Sequence, residues 1–353
     1  MEVIVNTTQY VGKKRFCPNC GKVHSPQFPK GINNVVQYNS DVKALIAYLN
    51  VDCNVSNEKI SELLKFITNK EISIPPSTVT ATLSQFDKKA KKLLKNIKNA
   101  ILKEAVIYED ETPISVNGKL MSSIGCFSKK LSYIDAFQNR KLESFEEMGI
   151  LNRYIGTVCH DHNDIHKSFT QYKDSECNFH ILRYCKPEYE KHKREIIKEF
   201  MNYLLLLRDK VDEYKIQGKT RIPENEYEKI KIEYLKILDK WDKEYNKEVQ
   251  QLEYEKAEKY HSEERCLKQR LRKYVDDHLR FLTDFRIDFT NNLAERGLRP
   301  AKTKLKVIGG FRNLSYAKYY FAILSVIQTC RKQGKNIGQT LKDIFEGKKV
   351  ILT

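Results

Sequence analysis

The stretch EAVIYEDETPISV occupies residues 104–116. Its apolar and β-branched residues predict a strand, broken by three adjacent acids, Glu109, Asp110 and Glu111. Two further strands are expected in KLMSSIGCFSKK (119–130) and LSYIDAFQNR (131–140), with short polar turns that include Lys129 and Lys130. LESFEEMGIL (142–151) has helical spacing. RYIGTVCHDHND (153–164) is an apolar run ending abruptly in polar residues, as a buried strand does. IHKSFTQYK (165–173) reads as a short helix, and SECNFHILRYCK (175–186) as a short strand or the start of a helix.

The resulting order is strand, strand, strand, helix, strand, helix, strand. It predicts an α/β fold, an α+β mixed sheet with a ribonuclease-H-like core, in which the first and fourth strands are neighbours. Asp110 ends the first strand and Asp161 the fourth, so the two carboxylates would face each other. Strand alternation sends Glu109 and Glu111 to the face opposite Asp110. Taken singly, an Asp at a strand end is often a turn former or a helix cap.

A third acid comes from far along the chain. In FTNNLAERGLRPAKTKLKVIGGFRN (289–313), one carboxylate, Glu295, precedes Arg296, Arg299, Lys302, Lys304, Lys306 and Arg312, with no further acid. An ion pair of Glu295 with Arg296 or Arg299 is the ordinary explanation. The alternative is a metal site closed by Asp110, Asp161 and Glu295. Three clustered carboxylates raise one another's pKa. Two Mg²⁺ ions relieve that repulsion, because they take oxygen ligands and stabilise both oxygens of an in-line phosphoryl displacement. The basic run would then hold DNA phosphates without reading sequence.

Five regions are expected. Residues 1–30 resemble a zinc-ribbon remnant, with Cys17 and Cys20 as candidate zinc ligands and His24 as a third, where a structural zinc takes four. Residues 31–100 are helical, with Ser56 as an N-cap and a helix entering at Ser77 or Thr78; its basic face suits either DNA or water. Residues 101–185 form the first part of the core. Residues 186–285 are long, charged and helically periodic, and read as a large helical insertion. Residues 286–353 complete the core. Cys177 and His180, with Arg183 one turn on, read as a packed thiol beside a hydrogen-bonded imidazole or as half of a metal site. His160, His162 and His166 bracket Asp161 and carry no assigned role. Cys53, Cys126, Cys159, Cys266 and Cys330 read as small buried hydrophobes.

The net charge of +17 points to a nucleic acid or an anionic membrane surface as partner. No apolar run is long enough to span a bilayer, and the N-terminus lacks a signal-peptide layout. A soluble, cytoplasmic, nucleoid-associated protein is expected.

Several stretches together resemble a known family. They are DET (110–112) followed by VNGK (116–119), HDHNDIHKSF (160–169), CNFHILRYCK (177–186), NNLAERGLRPAKTKLKVIGGFRN (291–313) and TCRKQGKNI (329–337). CPNCG (17–21) and ALIAYLN (44–50) add to them. The chain resembles the insertion-sequence-66 family of bacterial transposases. The resemblance implies a DDE enzyme that cleaves and joins DNA at element ends with Mg²⁺ or Mn²⁺. Its carboxylates would be Asp110, Asp161 and Glu295, and Cys177 with His180 its insertion-side motif. It also implies element and target DNA as partners, a homo-oligomer on DNA, and helper proteins of the same element. Tyr184 stands where the family commonly has Glu, and the N-terminal region is shorter than the family's. A non-cutting DNA-binding relic or repressor and a metal-dependent nuclease are the alternatives.

Overall fold

The computed structural model describes residues 3–29, 32, 35–250 and 254–352, with the side chains of residues 254–261 outside the description. Near the start, β1 (Arg15–Phe16) and β2 (Val23–His24) pair as a small antiparallel ribbon. Three helices follow: α1 (Ser40–Val51), α2 (Asn57–Ile67) and α3 (Pro76–Ile101). The Ser56 side chain caps α2 by accepting from the Lys59 backbone N–H, as expected. Helix α3 starts at Pro76, slightly before the expected Ser77 or Thr78. Proline suits a first helical position, where its fixed φ fits and its missing N–H leaves nothing unsatisfied. Ile46, Ile60, Leu64, Ile74 and Val79 close a small core among these helices.

The main sheet contains β3 (Val106–Val116), β4 (Lys119–Phe127), β5 (Ser132–Phe137), β6 (Thr157–His160) and β7 (Lys173–Glu176), with helix α4 (Leu142–Met148) between β5 and β6. Its spatial order is β5-β4-β3-β6-β7. The first three strands are antiparallel, and β6 and β7 run parallel to β3. The first and fourth strands of this sheet are therefore neighbours, with Val106 opposite Thr157 and Tyr108 opposite Cys159. The β3–β4 hairpin turns on Asn117 and Gly118, both at positive φ (49° and 72°). Asn-Gly is the dipeptide that adopts this left-handed pair at least strain.

Two local expectations change. Residues Asp164–Ser168 form a short 3₁₀ helix, not an α-helix, and it ends well before residue 173. The 175–186 stretch divides: β7 ends at Glu176 and α5 (Asn178–His192) begins two residues later. Cys177, His180 and Arg183 thus belong to the head of a helix.

Five more helices precede the last part of the core: α6 (Glu195–Ile216), α7 (Glu224–Val249), α8 (Tyr254–Lys273), α9 (Val275–His278) and α10 (Arg280–Thr283). Phe200, Leu204, Tyr234, Leu238 and Trp241 are buried among them. The chain then forms α11 (Asn292–Ile308), α12 (Leu314–Lys332) and α13 (Ile337–Glu346). Helix α12 covers the edge strand β5, whose Ser132 and Ile134 N–H groups donate to Thr329 Oγ1 (3.1 Å) and Ser325 Oγ (2.9 Å). Those hydroxyls satisfy backbone donors that an edge strand otherwise exposes.

The cysteines divide as well. Cys126, Cys159 and Cys330 are buried as expected, but Cys53 and Cys266 are exposed. Cys53 lies in the turn just after α1. Cys266 is on the outward face of α8, whose inward stripe carries Glu264, Leu267, Lys268 and Leu271.

Candidate active site

Asp110 lies in the middle of β3, opposite Gly125 of β4, and not at the strand's end as expected. What ends near it is the pairing with β6, whose last pair is Tyr108 with Cys159. The neighbours of Asp110 alternate as expected. Glu109 is buried on the other face, where its carboxylate meets His166 Nε2 at 2.9 Å. Glu111 pairs with Arg140 and accepts from Asn163 Nδ2 at 3.3 Å. Asp161 directly follows β6, at the C-terminal end of the parallel pair. Glu295 is in the first turn of α11.

What seats α11 on the sheet is a close approach. A Cβ at Gly297 would overlap the Phe127 ring of β4, and one at Gly125 would overlap the same ring. Both glycines let the helix lie flat on the strand. Asn291, buried at the head of α11, ties the helix to the site. Its side-chain amide donates to Glu109 O (2.7 Å), and its backbone N–H points at Cys177 Sγ (3.1 Å).

Glu295 and Asp161 converge on one imidazole. His180 Nδ1 is 2.8 Å from Asp161 Oδ1 and 3.9 Å from Glu295 Oε1. Asp161 Oδ1 and His180 Nδ1 are both buried, and neither makes an aligned hydrogen bond among the described residues. The Asp161 carboxylate, then Cys177, push His180 up to about 10. Burial pushes Asp110 up to about 7, with Asp161 and Glu111 adding to it and the Glu111 N–H and Lys302 opposing it. Asp110 thus feels Asp161 across the β3–β6 pair.

Oxygen donors from three carboxylates are what a hard divalent cation takes. The residue types fit such an ion, although Asp161 Oδ1 already faces His180 at 2.8 Å and, among the described residues, the donor clusters within 4.8 Å include neither Asp110 nor Glu295. Asp161, Cys177 and His180 also offer donor atoms within 4.8 Å of one another, a softer set.

A sequence model of the IS66 transposase family matches residues 36–319. The chain belongs to the IS66 transposase family. No curated protein matches it. The IS66 match takes in Asp110, Asp161 and Glu295 and ends within α12. Cys17, Cys20 and His24 lie ahead of it; their donor atoms fall within 4.8 Å of one another, with Cys20 Sγ 3.6 Å from His24 Nε2. That is three donors where a structural zinc takes four.

The basic run of this IS66 transposase divides by helix face. Arg296, Arg299, Lys302, Lys306 and Arg312 are exposed. Lys304 is not part of that surface. It shares the buried stripe of Ala294, Gly297, Leu298 and Ala301, and its Nζ donates to the Asn50 carbonyl at 2.7 Å. Burial pushes it down to about 8. Helical spacing places positions 294, 297, 301 and 304 on one side, a signal present in the sequence and masked by the surrounding charge. Asn291 and the Glu109–His166 pair were not foreseen as parts of the site; the polar head of an otherwise apolar-striped helix is the one hint of the former.

Among the described residues, no helix is long and apolar enough to cross a membrane.

Proposed function

We propose that this chain cleaves DNA strands at the ends of an insertion element and joins them to target DNA, on a ribonuclease-H-like core interrupted by the helices from α6 to α10. The observation that carries this function is the convergence of Asp161 and Glu295 on His180, with Asp110 on the adjacent strand. On this reading three acids from three separate segments would meet near the end of the β3–β6 parallel pair. The strand order, in which the first strand lies between the second and the fourth, supports the same fold.

Two divalent cations, Mg²⁺ or Mn²⁺, held by Asp110, Asp161 and Glu295, would polarise the scissile phosphate and favour an ionised water or hydroxyl as nucleophile. The chain's own groups prepare that chemistry. His180 holds the Asp161 carboxylate from one side and, carrying a proton, offsets its charge. Asn291 fixes the start of α11, and so the Glu295 side chain, against β3 and Cys177. Arg296, Arg299, Lys302, Lys306 and Arg312 offer an exposed basic surface continuous with that helix, suited to the DNA backbone. Copies of the chain would hold paired element ends, with helper proteins of the same element.

Metal-dependent nicking of duplex DNA tests this function. Cleavage in Mg²⁺ or Mn²⁺ that a chelator stops, and that Asp161→Asn stops without loss of DNA binding, supports it. Binding without cleavage under every metal condition would leave a non-cutting DNA-binding protein as the function.

A further inference from the structure

A cleft of about 520 Å³ opens between the middle of α5 and the second half of α8. That volume lies in the range of small-ligand pockets, about 300–1,000 Å³. We propose that it is a subsite for one unpaired nucleotide of the DNA strand at the active site, with the base on Tyr184 and a phosphate on Arg183. The subsite presupposes the DNA cleavage proposed above.

Its position comes first. His162 lines the cleft and directly follows Asp161. Tyr184 lies one helical turn beyond His180, their ring centroids 6.3 Å apart. A strand whose phosphate is at the carboxylates therefore has its next nucleotide within reach of the cleft.

Its chemistry comes second. Tyr184 is 37% exposed, so part of it meets solvent. Arg270 lies over that ring at 4.6 Å and holds it from α8. Its Nε is buried without an aligned hydrogen bond among the described residues, 3.8 Å from Glu176 Oε2. Arg183 is exposed and makes no ion pair among the described residues. Pro187 and Leu267 add apolar wall. An aromatic ring beside an exposed guanidinium, here Arg183, is how proteins hold single-stranded nucleic acid: bases stack, phosphates pair. A base inside a duplex has both faces covered by its neighbours, so the site selects an unpaired one. Glu188 and Glu263 also border the cleft. Burial raises the Glu188 carboxyl above its ordinary value. Glu263 is exposed at the rim, where solvent screens it.

The test uses the full chain and two short duplexes, one blunt and one ending in a single-stranded tail that carries a fluorescent adenine analogue. Wild type is expected to quench the analogue and to bind the tailed duplex about tenfold more tightly than the blunt one. Tyr184→Ala should lose both effects while keeping its affinity for blunt duplex, and Tyr184→Phe should keep both. Arg183→Ala should keep the quenching and lose part of the tail preference. Equal quenching and preference in wild type and Tyr184→Ala would overturn the subsite alone. So would a wild type that binds blunt and tailed duplex equally. Failure of wild type to bind either duplex would overturn the subsite and the DNA-cleaving function together.

Discussion

Asp161 Oδ1 and His180 Nδ1 lie 2.8 Å apart, both buried and neither in an aligned hydrogen bond among the described residues. One follows the fourth strand of the sheet; the other opens the first helix after the fifth. The contact makes the head of α5 a brace for a carboxylate of the core. His180→Gln keeps a polar side chain there but loses the positive charge. It is expected to raise the metal concentration needed for half-maximal nicking by about 10- to 100-fold, as loss of a group supporting a metal ligand does. Metal titration of nicking checks this, and an unchanged midpoint would mean that His180 does not support the metal site.

Gly297 is where α11 meets Phe127 without room for a side chain. Gly297→Ala should push the helix off β4 and destabilise the fold by about 1–3 kcal/mol, the usual range for overpacking. Because Glu295 rides on the same turn, nicking should fall further than the folded fraction does. Denaturant unfolding and specific activity, measured on one preparation, separate the two effects. Adding Phe127→Leu should recover part of both.

The basic surface offers a contrast between exposed and buried lysines. Changing Arg299, Lys302 and Lys306 together to Ala should weaken DNA binding and reduce the salt slope by about 3, since each phosphate no longer neutralised takes away about 1. Lys304→Met should leave both unchanged, since Nζ of Lys304 points to Asn50. Its effect belongs to stability. Binding measured across a salt series distinguishes the two outcomes.

Glu176 gives a pH signature. Burial would raise its carboxyl, but hydrogen bonds from His162 and His278 outweigh that and hold it well below its ordinary value of 4.5. A depressed folded-state value means stabilisation that is complete above 4.5 and lost as pH falls toward the folded-state value. Glu176→Gln should therefore cost about 3 kcal/mol near neutral pH, as breaking a buried charge pair does. The gap from wild type should narrow in acid. Unfolding curves at several pH values test this; a gap that stays constant would place the effect in packing.

The strand order was legible because apolar runs, a turn-forming Asn-Gly and abrupt polar ends repeat along residues 104–176, and those are local signals. The two departures there are also local. Residues 164–168 are too few for an α-helix, and the 175–186 stretch mixes strand and helix formers, so only tertiary pairing divides it. Asp161 and Glu295 are legible as site candidates because one directly follows a strand and the other lies in the first turn of a helix; Asp110 stands out only as the middle of three adjacent acids within β3. Lys304 was misplaced because six basic residues in one run hide a helical stripe, and only the periodicity of its apolar neighbours reveals it. Asn291, and the partners of the already suspected His180, were beyond reach for another reason. The partners of both residues lie far away along the chain, in β3 and after β6, and no spacing within a segment encodes a contact between segments.

The most direct test is strand nicking by Glu295→Gln beside wild type, on duplex DNA carrying the element's ends, in Mg²⁺ or Mn²⁺ and in chelator. The three-carboxylate site predicts nicking by wild type only with metal, none by Glu295→Gln, and equal DNA binding by both. Undiminished metal-dependent nicking by Glu295→Gln would contradict it.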